Sequence, residues 1–141
     1  MSNFLELKDI SKSFESEKKI DVLKRLSYKF KRGKLYVIMG PSGSGKSTLL
    51  NLISLIDKPS SGSIKFDNVK INFTEKNKND IFRANNIGII YQQNNLLPDF
   101  TALENVYLAS LSNNNNKDLA TSKAKDLLEK VGLSNRLNYF P

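Results

Sequence analysis

Cysteine and histidine are both missing from these 141 residues. Without cysteine there is no disulfide framework and no thiolate metal site. Without histidine, catalysis by an imidazole acid or base is excluded. The longest purely apolar run, residues 35–39, is five residues long, far too short to span a bilayer. The first nine residues include Glu6 and Asp9, where a secretory signal would need a positive end and then an apolar stretch. These absences point to an intracellular protein with no membrane span of its own. What is present is ordinary for a folded chain: 39% hydrophobic and 26% charged residues, enough apolar material to exclude a wholly disordered polypeptide.

The net charge is +8, from 22 Lys and Arg against 14 Asp and Glu. Such an excess suits nucleic acid or an anionic membrane surface. However, 18 of those cations are Lys and only 4 are Arg, and 17 residues are Asn. They are scattered along the chain and form no single stripe. The expectation is a solvated, Lys-rich surface and no specific nucleic-acid partner.

Hydropathy patterning then lays out the elements. Residues 5–8 and 26–30 alternate and read as strands. Residues 35–39, Leu-Tyr-Val-Ile-Met, form a continuous apolar run, as expected of a strand covered on both faces. A glycine-rich loop fills 40–45. Residues 46–56 read as a helix, with Leu49, Leu50, Leu52, Ile53 and Ile56 on and around one face. Short strands at 63–66 and 69–71 flank Asp67-Asn68, a hairpin signal. Residues 73–79 read as polar loop and 80–85 as a short helix. Residues 87–91, Ile-Gly-Ile-Ile-Tyr, read as a second buried strand. Thr101 and Glu104 have capping-box spacing, so a helix should start there. Residues 113–116 are four consecutive Asn, read as a loop tip. Residues 117–131 are amphipathic, with Leu119, Ala120, Ala124, Leu127, Leu128 and Val131 on a shared face. Gly132 stands where a helix-ending glycine belongs.

The loop carries the chemistry. Gly40-Pro41-Ser42-Gly43-Ser44-Gly45-Lys46-Ser47 fits the phosphate-binding pattern G-x-x-x-x-G-K-[ST], the P-loop. An apolar strand leads into it and an amphipathic helix leads out, as the mechanism requires. A polyphosphate needs many donors near its oxygens. Backbone N–H groups supply them, and glycine lets the chain wrap tightly. The helix N-terminus adds unpaired N–H groups and partial positive charge. Lys46 would reach the β- and γ-phosphates, Ser47 would ligate Mg²⁺ through its hydroxyl, and Thr48 would lie near the α-phosphate. A dinucleotide fingerprint fails, because the third glycine would fall at Thr48.

Two further stretches extend the match. Residues 87–106 read Ile-Gly-Ile-Ile-Tyr-Gln-Gln-Asn-Asn-Leu-Leu-Pro-Asp-Phe-Thr-Ala-Leu-Glu-Asn-Val. This resembles the Q-loop region of ABC transporter ATP-binding subunits. Residues 55–64 resemble the segment after their P-loop helix. The wording from Leu96 onward is most similar to a subgroup holding lipoprotein-releasing, macrolide-export and cell-division ATPases. The resemblance runs from Leu5 to Pro141.

That resemblance implies an α/β fold: an ABC-type P-loop NTPase core with an N-terminal antiparallel β subdomain. The core would occupy residues 1–94, and residues 95–141 would begin an α-helical subdomain. By position, Phe14 would stack on adenine where the family usually has Tyr; Phe keeps the π-face. Val22 would line the adenine and ribose. Gln92 would contact Mg²⁺ or the attacking water and sense the membrane partner, its amide both donating and accepting. The ligands implied are ATP and Mg²⁺. The partners implied are a membrane-spanning permease subunit and a second copy of the ATP-binding subunit. The location implied is the cytoplasm, peripheral on the inner membrane's cytoplasmic face.

The same resemblance exposes what these residues do not contain. There is no Leu-Ser-Gly-Gly-Gln signature, no apolar strand closing on Asp-Glu, and no switch His. The glutamate that would act as catalytic base is missing with them. The expectation is an incomplete cassette that ends before its signature, with an exposed apolar patch and marginal stability. Two alternatives stand beside the transporter motor. One is a truncated, non-hydrolysing remnant that binds nucleotide weakly or not at all. The other is a DNA-repair-type ABC ATPase, against which the single short segment at 117–131 weighs, since those proteins continue into long heptad helices.

Overall fold

The computed structural model describes residues 3–15, 17–111 and 116–141. Two compact units emerge, Met1–Arg83 and Ala84–Pro141. The first is built on a four-stranded antiparallel sheet. Its strands are β1 (Asn3–Phe14), β2 (Ile20–Lys31), β3 (Ser61–Phe66) and β4 (Val69–Lys70), in spatial order β2-β1-β3-β4. Between β2 and β3 comes α1 (Lys46–Ile53), and after β4 comes α2 (Lys76–Asn86). The second unit holds α3 (Ala102–Leu111), α4 (Lys117–Lys130) and a short 3₁₀ turn at Ser134–Arg136.

The first half of β1 obeys simple alternation. Leu5 and Leu7 are buried, while Glu6 faces Lys29 of β2 at 3.6 Å and Lys65 of β3 at 4.0 Å. The pairing register of β1 with β2 then shifts between Leu7 and Ile10, with Asp9 at φ +50°. Such a bulge moves the following side chains to the opposite phase. Ile10 and Lys12 are accordingly buried. Two hydroxyls serve the disrupted ladder: Ser27 Oγ accepts from the Asp9 N–H at 2.8 Å, and Ser11 Oγ accepts from the Arg25 N–H at 3.0 Å. β3 runs close against the bulge. A Cβ on Gly62 would lie 2.4 Å from the Asp9 carbonyl oxygen, and its φ is +91°. Only glycine fits there. The β3–β4 hairpin turns on Asp67 and Asn68, both at positive φ. This is the pattern of a type I′ turn, whose twist matches the flanking strands. The core of this unit gathers Leu5, Leu7, Ile10, Leu23, Ile64 and Phe66 from the sheet, with Leu49, Leu52 and Leu55 from α1 and the residues just after it.

Several expectations need correction. Residues 35–39 and 87–91 are not strands covered on both faces. Neither segment has sheet pairing among the described residues, and a strand exists only when its N–H and C=O groups find a ladder. Residues 35–39 keep the strand's period of two without its partners. Leu35, Val37 and Met39 are 92%, 73% and 85% exposed. Tyr36 and Ile38 turn inward, and Tyr36 stands edge-on to Tyr28 and Phe30. In 87–91, Ile90 is fully exposed. An apolar groove of about 270 Å³, bordered by Phe30, Tyr36, Ile38, Leu50 and Ile53, remains open. The P-loop helix ends at Ile53 rather than residue 56. α2 begins at Lys76, inside what reads as polar loop.

In the second unit the capping box forms as expected. Thr101 donates its N–H (2.8 Å) and hydroxyl (2.9 Å) to Glu104 Oε2, and the Glu104 N–H returns to Thr101 Oγ1 at 3.3 Å. Asn105 fastens the preceding loop: it accepts from the Leu97 N–H and donates to the Leu97, Phe100 and Thr101 carbonyls. α4 is capped by Asn116, whose side chain accepts from the Leu119 N–H. It buries Ala120, Ala124 and Leu128, one face at a spacing of four, whereas Leu119, Leu127 and Val131 are exposed. The helix stops at Lys130. Gly132, at φ +75°, donates to Glu129 and Leu133 donates to Leu128, the double bond of a Schellman ending. Of the four consecutive Asn, residues 113–115 lie outside the described residues.

Two measurements check this account. Gly62→Ala meets both a backbone clash and a positive φ, whereas Gly33→Ala meets only φ +70° and open space. The first is expected to cost more than about 1 kcal/mol in urea denaturation, and more than the second. Equal costs would contradict the close approach at Asp9. The second concerns Glu104, whose pKa is lowered by the Thr101 backbone N–H and then by the Thr101 hydroxyl. Its contribution is present above the ordinary carboxylate range and is lost as pH falls through the lowered folded value. Thr101→Ala is expected to raise the Glu104 titration midpoint in an NMR pH series.

Candidate functional site

The loop at 40–45 joins an extended segment to α1, and its conformation follows from its glycines. Gly43 has φ +78° and Gly45 has φ +88°, backbone states that side chains disfavour. The Ser44 N–H donates to the Pro41 carbonyl at 3.3 Å, closing a turn. Gly45 is the N-cap of α1, and the first helical bond runs from Leu49 N–H to Gly45 O at 2.8 Å. The amides of Lys46, Ser47 and Thr48 therefore precede the helical ladder. No side chain caps this end, and no acid stands in the first turn. That leaves donors and the positive pole of the helix turned toward the loop.

Gly45 has a second reason to be glycine. A Cβ there would lie 3.0 Å from Val22 Cγ1, 3.1 Å from Leu23 Cδ2 and 3.3 Å from the Val22 carbonyl. β2 thus packs directly on the end of the loop. Gly40 is crowded too: a Cβ would lie 2.7 Å from Ser44 Oγ. Lys46 folds back across the loop, donating to the Gly40 carbonyl at 2.9 Å and the Pro41 carbonyl at 2.7 Å. An ammonium has three donors, so one remains for an anion in the cradle. Ser42, Gly43, Ser44 and Ser47 are exposed, and Thr48 is half-buried.

The sequence-derived residues fall into three groups. Gly40 to Thr48 and Val22 come together, with Val22 against Gly45. Phe14 stands at the end of β1, 44% exposed, with the Lys12 ammonium 4.9 Å from its ring centroid. Gln92 belongs to the second unit, where it is exposed in a bend after residues 87–91. Among the described residues, no group of three or more acidic, His or Cys side chains could hold a metal alone. A Mg²⁺ at the loop would come with the nucleotide, held by phosphate oxygens and the Ser47 hydroxyl, which suits a hard cation.

Sequence reasoning missed Lys12 and Asp57. The Lys12 side chain is buried and bonds both Asp57 carboxylate oxygens, at 2.7 and 2.6 Å, and the Lys58 carbonyl at 2.9 Å. It ties β1 to the turn after α1. The bulge at Asp9 hides it, because plain alternation from Leu5 and Leu7 points Lys12 outward.

Comparison with known proteins agrees with this geometry. The profile of a family described as ABC transporter matches residues 23–140. The lipoprotein-releasing system ATP-binding protein LolD of Rickettsia bellii is 42% identical over 143 residues, covering 100% of this chain and 62% of its own length. An uncharacterized ABC transporter ATP-binding protein of Methanocaldococcus jannaschii is 40% identical, covering 97% of this chain and 62% of its own length. Among solved structures, a dimeric ATP-binding cassette, MJ0796, in a post-hydrolysis state bound to ADP and Pi, superposes with a TM-score of 0.85. It is 36% identical, and the match covers 97% of this chain and 61% of that one. The chain thus spans a little over three-fifths of the length of these relatives.

Proposed function

The chain belongs to the ABC transporter family and has the fold of its ATP-binding cassette; on that footing we propose that it is the P-loop part of a transporter's motor subunit. The protein would couple MgATP binding and hydrolysis to a membrane-spanning permease. No helix among the described residues is long and apolar enough to cross a membrane. The subunit would sit on the cytoplasmic face of the inner membrane. Likeness to LolD proteins favours release or export of lipoproteins as its task. Residues 1–94 would belong to the nucleotide-binding core and residues 95–141 to the helical subdomain.

The observation that carries this reading is the loop's end: Gly45 in the left-handed region, uncapped amides at Lys46 to Thr48, and an ammonium spanning the cradle. The amides and Lys46 would hold the β- and γ-phosphates and stabilise the charge that develops there. Val22, at Gly45, would border the sugar, and Phe14 would stack on adenine. Mg²⁺ supplies charge neutralisation across the phosphates; Ser47 would hold it from the loop. Gln92 would bring its amide to the metal or the attacking water. Closure against a second copy would complete the site, consistent with the dimer reported for MJ0796.

Hydrolysis needs a base and a signature that these 141 residues do not supply. One observation favours the second reading, a non-hydrolysing remnant that binds nucleotide weakly or not at all, wherever these residues act alone. Leu35, Val37 and Met39, which lead into the P-loop, are uncovered, and the loop's supporting segment has no sheet partner among the described residues.

Lys46→Ala is the test. In the full-length protein it is expected to lower ATP affinity at least about tenfold, the scale of one charge-assisted hydrogen bond. The unfolding midpoint should stay near that of the parent. Unchanged ATP affinity, measured by calorimetry, would contradict the phosphate role.

A further inference from the structure

We propose that Lys12 is a positioning residue for the nucleotide base, holding the Phe14 ring in register with the P-loop helix. This rests on the reading of Phe14 as the adenine platform. The bulge at Asp9 sets Lys12 in the same phase as buried Ile10. Two residues later Phe14 follows in that phase. The Lys12 ammonium stands over the Phe14 ring, 4.9 Å from its centroid. It is held there by bonds of 2.6 to 2.9 Å to both Asp57 oxygens and the Lys58 carbonyl. Asp57 is itself fixed to the backbone, accepting from the Lys58 N–H at 2.7 Å. This turn follows α1, the helix that opens with Lys46. One cation therefore ties the strand that carries Phe14 to the turn at the C-terminal end of that helix.

Two consequences follow from the chemistry. The ammonium sits within cation–π range of the ring, so the ring's position depends on the charge as well as on packing. Phe14 keeps 44% of its surface exposed, leaving room for a planar ligand while the cation occupies a face. An ion pair that served only to staple β1 to the turn would not need to meet an exposed aromatic ring.

The test separates base binding from phosphate binding. Calorimetry on the full-length protein gives the affinity for MgATP and for magnesium tripolyphosphate, which has no base. Lys12→Met keeps the stem and removes the charge. It is expected to lower MgATP affinity about three- to tenfold and leave tripolyphosphate affinity unchanged; Lys12→Arg should restore the ratio. In a Phe14→Ala background Lys12→Met should have no further effect on the ratio. Equal losses for both ligands would mean a purely structural ion pair and overturn the proposal. An unchanged ratio in Lys12→Met would overturn it too, provided that Phe14→Ala lowers the ratio. If Phe14→Ala leaves the ratio unchanged, the adenine platform itself fails. Should Lys12→Met not fold, Asp57→Asn loosens the same anchor and is expected to shift the ratio in the same direction; no shift would count against the proposal.

Discussion

A contact that crowds any side chain fixes the working end of this molecule. β2 presses Val22 and Leu23 against Gly45, at distances where even a methyl group is crowded. Gly45 is also the residue whose left-handed backbone turns the loop into the helix. Sheet, loop and helix meet at one position that must satisfy both demands. The amides ahead of the helical ladder, and Lys46 behind them, take their direction from that junction. A phosphate site made mostly of backbone needs a fixed backbone, and here packing supplies the fixity.

The sheet contributes through its irregularity. A regular β1 would bury Leu5, Leu7 and Asp9 and leave Lys12 in water. The bulge reverses the phase after Leu7, buries Ile10 and Lys12, and puts the glycine at 62 beside the kink. Burying a lysine is costly unless it is paired and hydrogen-bonded. Asp57 and the Lys58 carbonyl meet that demand, and in doing so they tether the end of the P-loop helix to the strand that carries Phe14. A local backbone defect thus leads to a connection between residues 45 positions apart in sequence.

The sequence showed much of this because the decisive signals are local. A G-x-x-x-x-G-K-[ST] loop, a Thr101–Glu104 capping box and a Gly132 helix stop each act within a few residues, and each formed. The signals that failed were non-local. The apolar runs at 35–39 and 87–91 have a strand's composition, but pairing depends on other segments, and none among the described residues supplies it. Instead one face of 35–39 rests on Tyr28 and Phe30 while Leu35, Val37 and Met39 stay open. The start of α2 was hidden for another reason. Lys76, Asn77, Lys78 and Asn79 carry no hydrophobic period, and polar contacts hold the turn: Glu75 pairs with Lys78, and Asn79 reaches back to the Asn72 carbonyl. Lys12 and Val22 were visible as residues; their contacts depended on a bulge and on a glycine 23 positions later, which periodicity does not report.

Direct contact between backbone amides and phosphate is the central claim, and hydrogen exchange reads it residue by residue. In the full-length protein, saturating MgATP should slow exchange at the amides of Gly43 to Thr48 well beyond any change at the α4 amides, which serve as an internal reference. Exchange at Gly43 to Thr48 that does not respond to MgATP would contradict the account, because no nucleotide would then be seated on the loop.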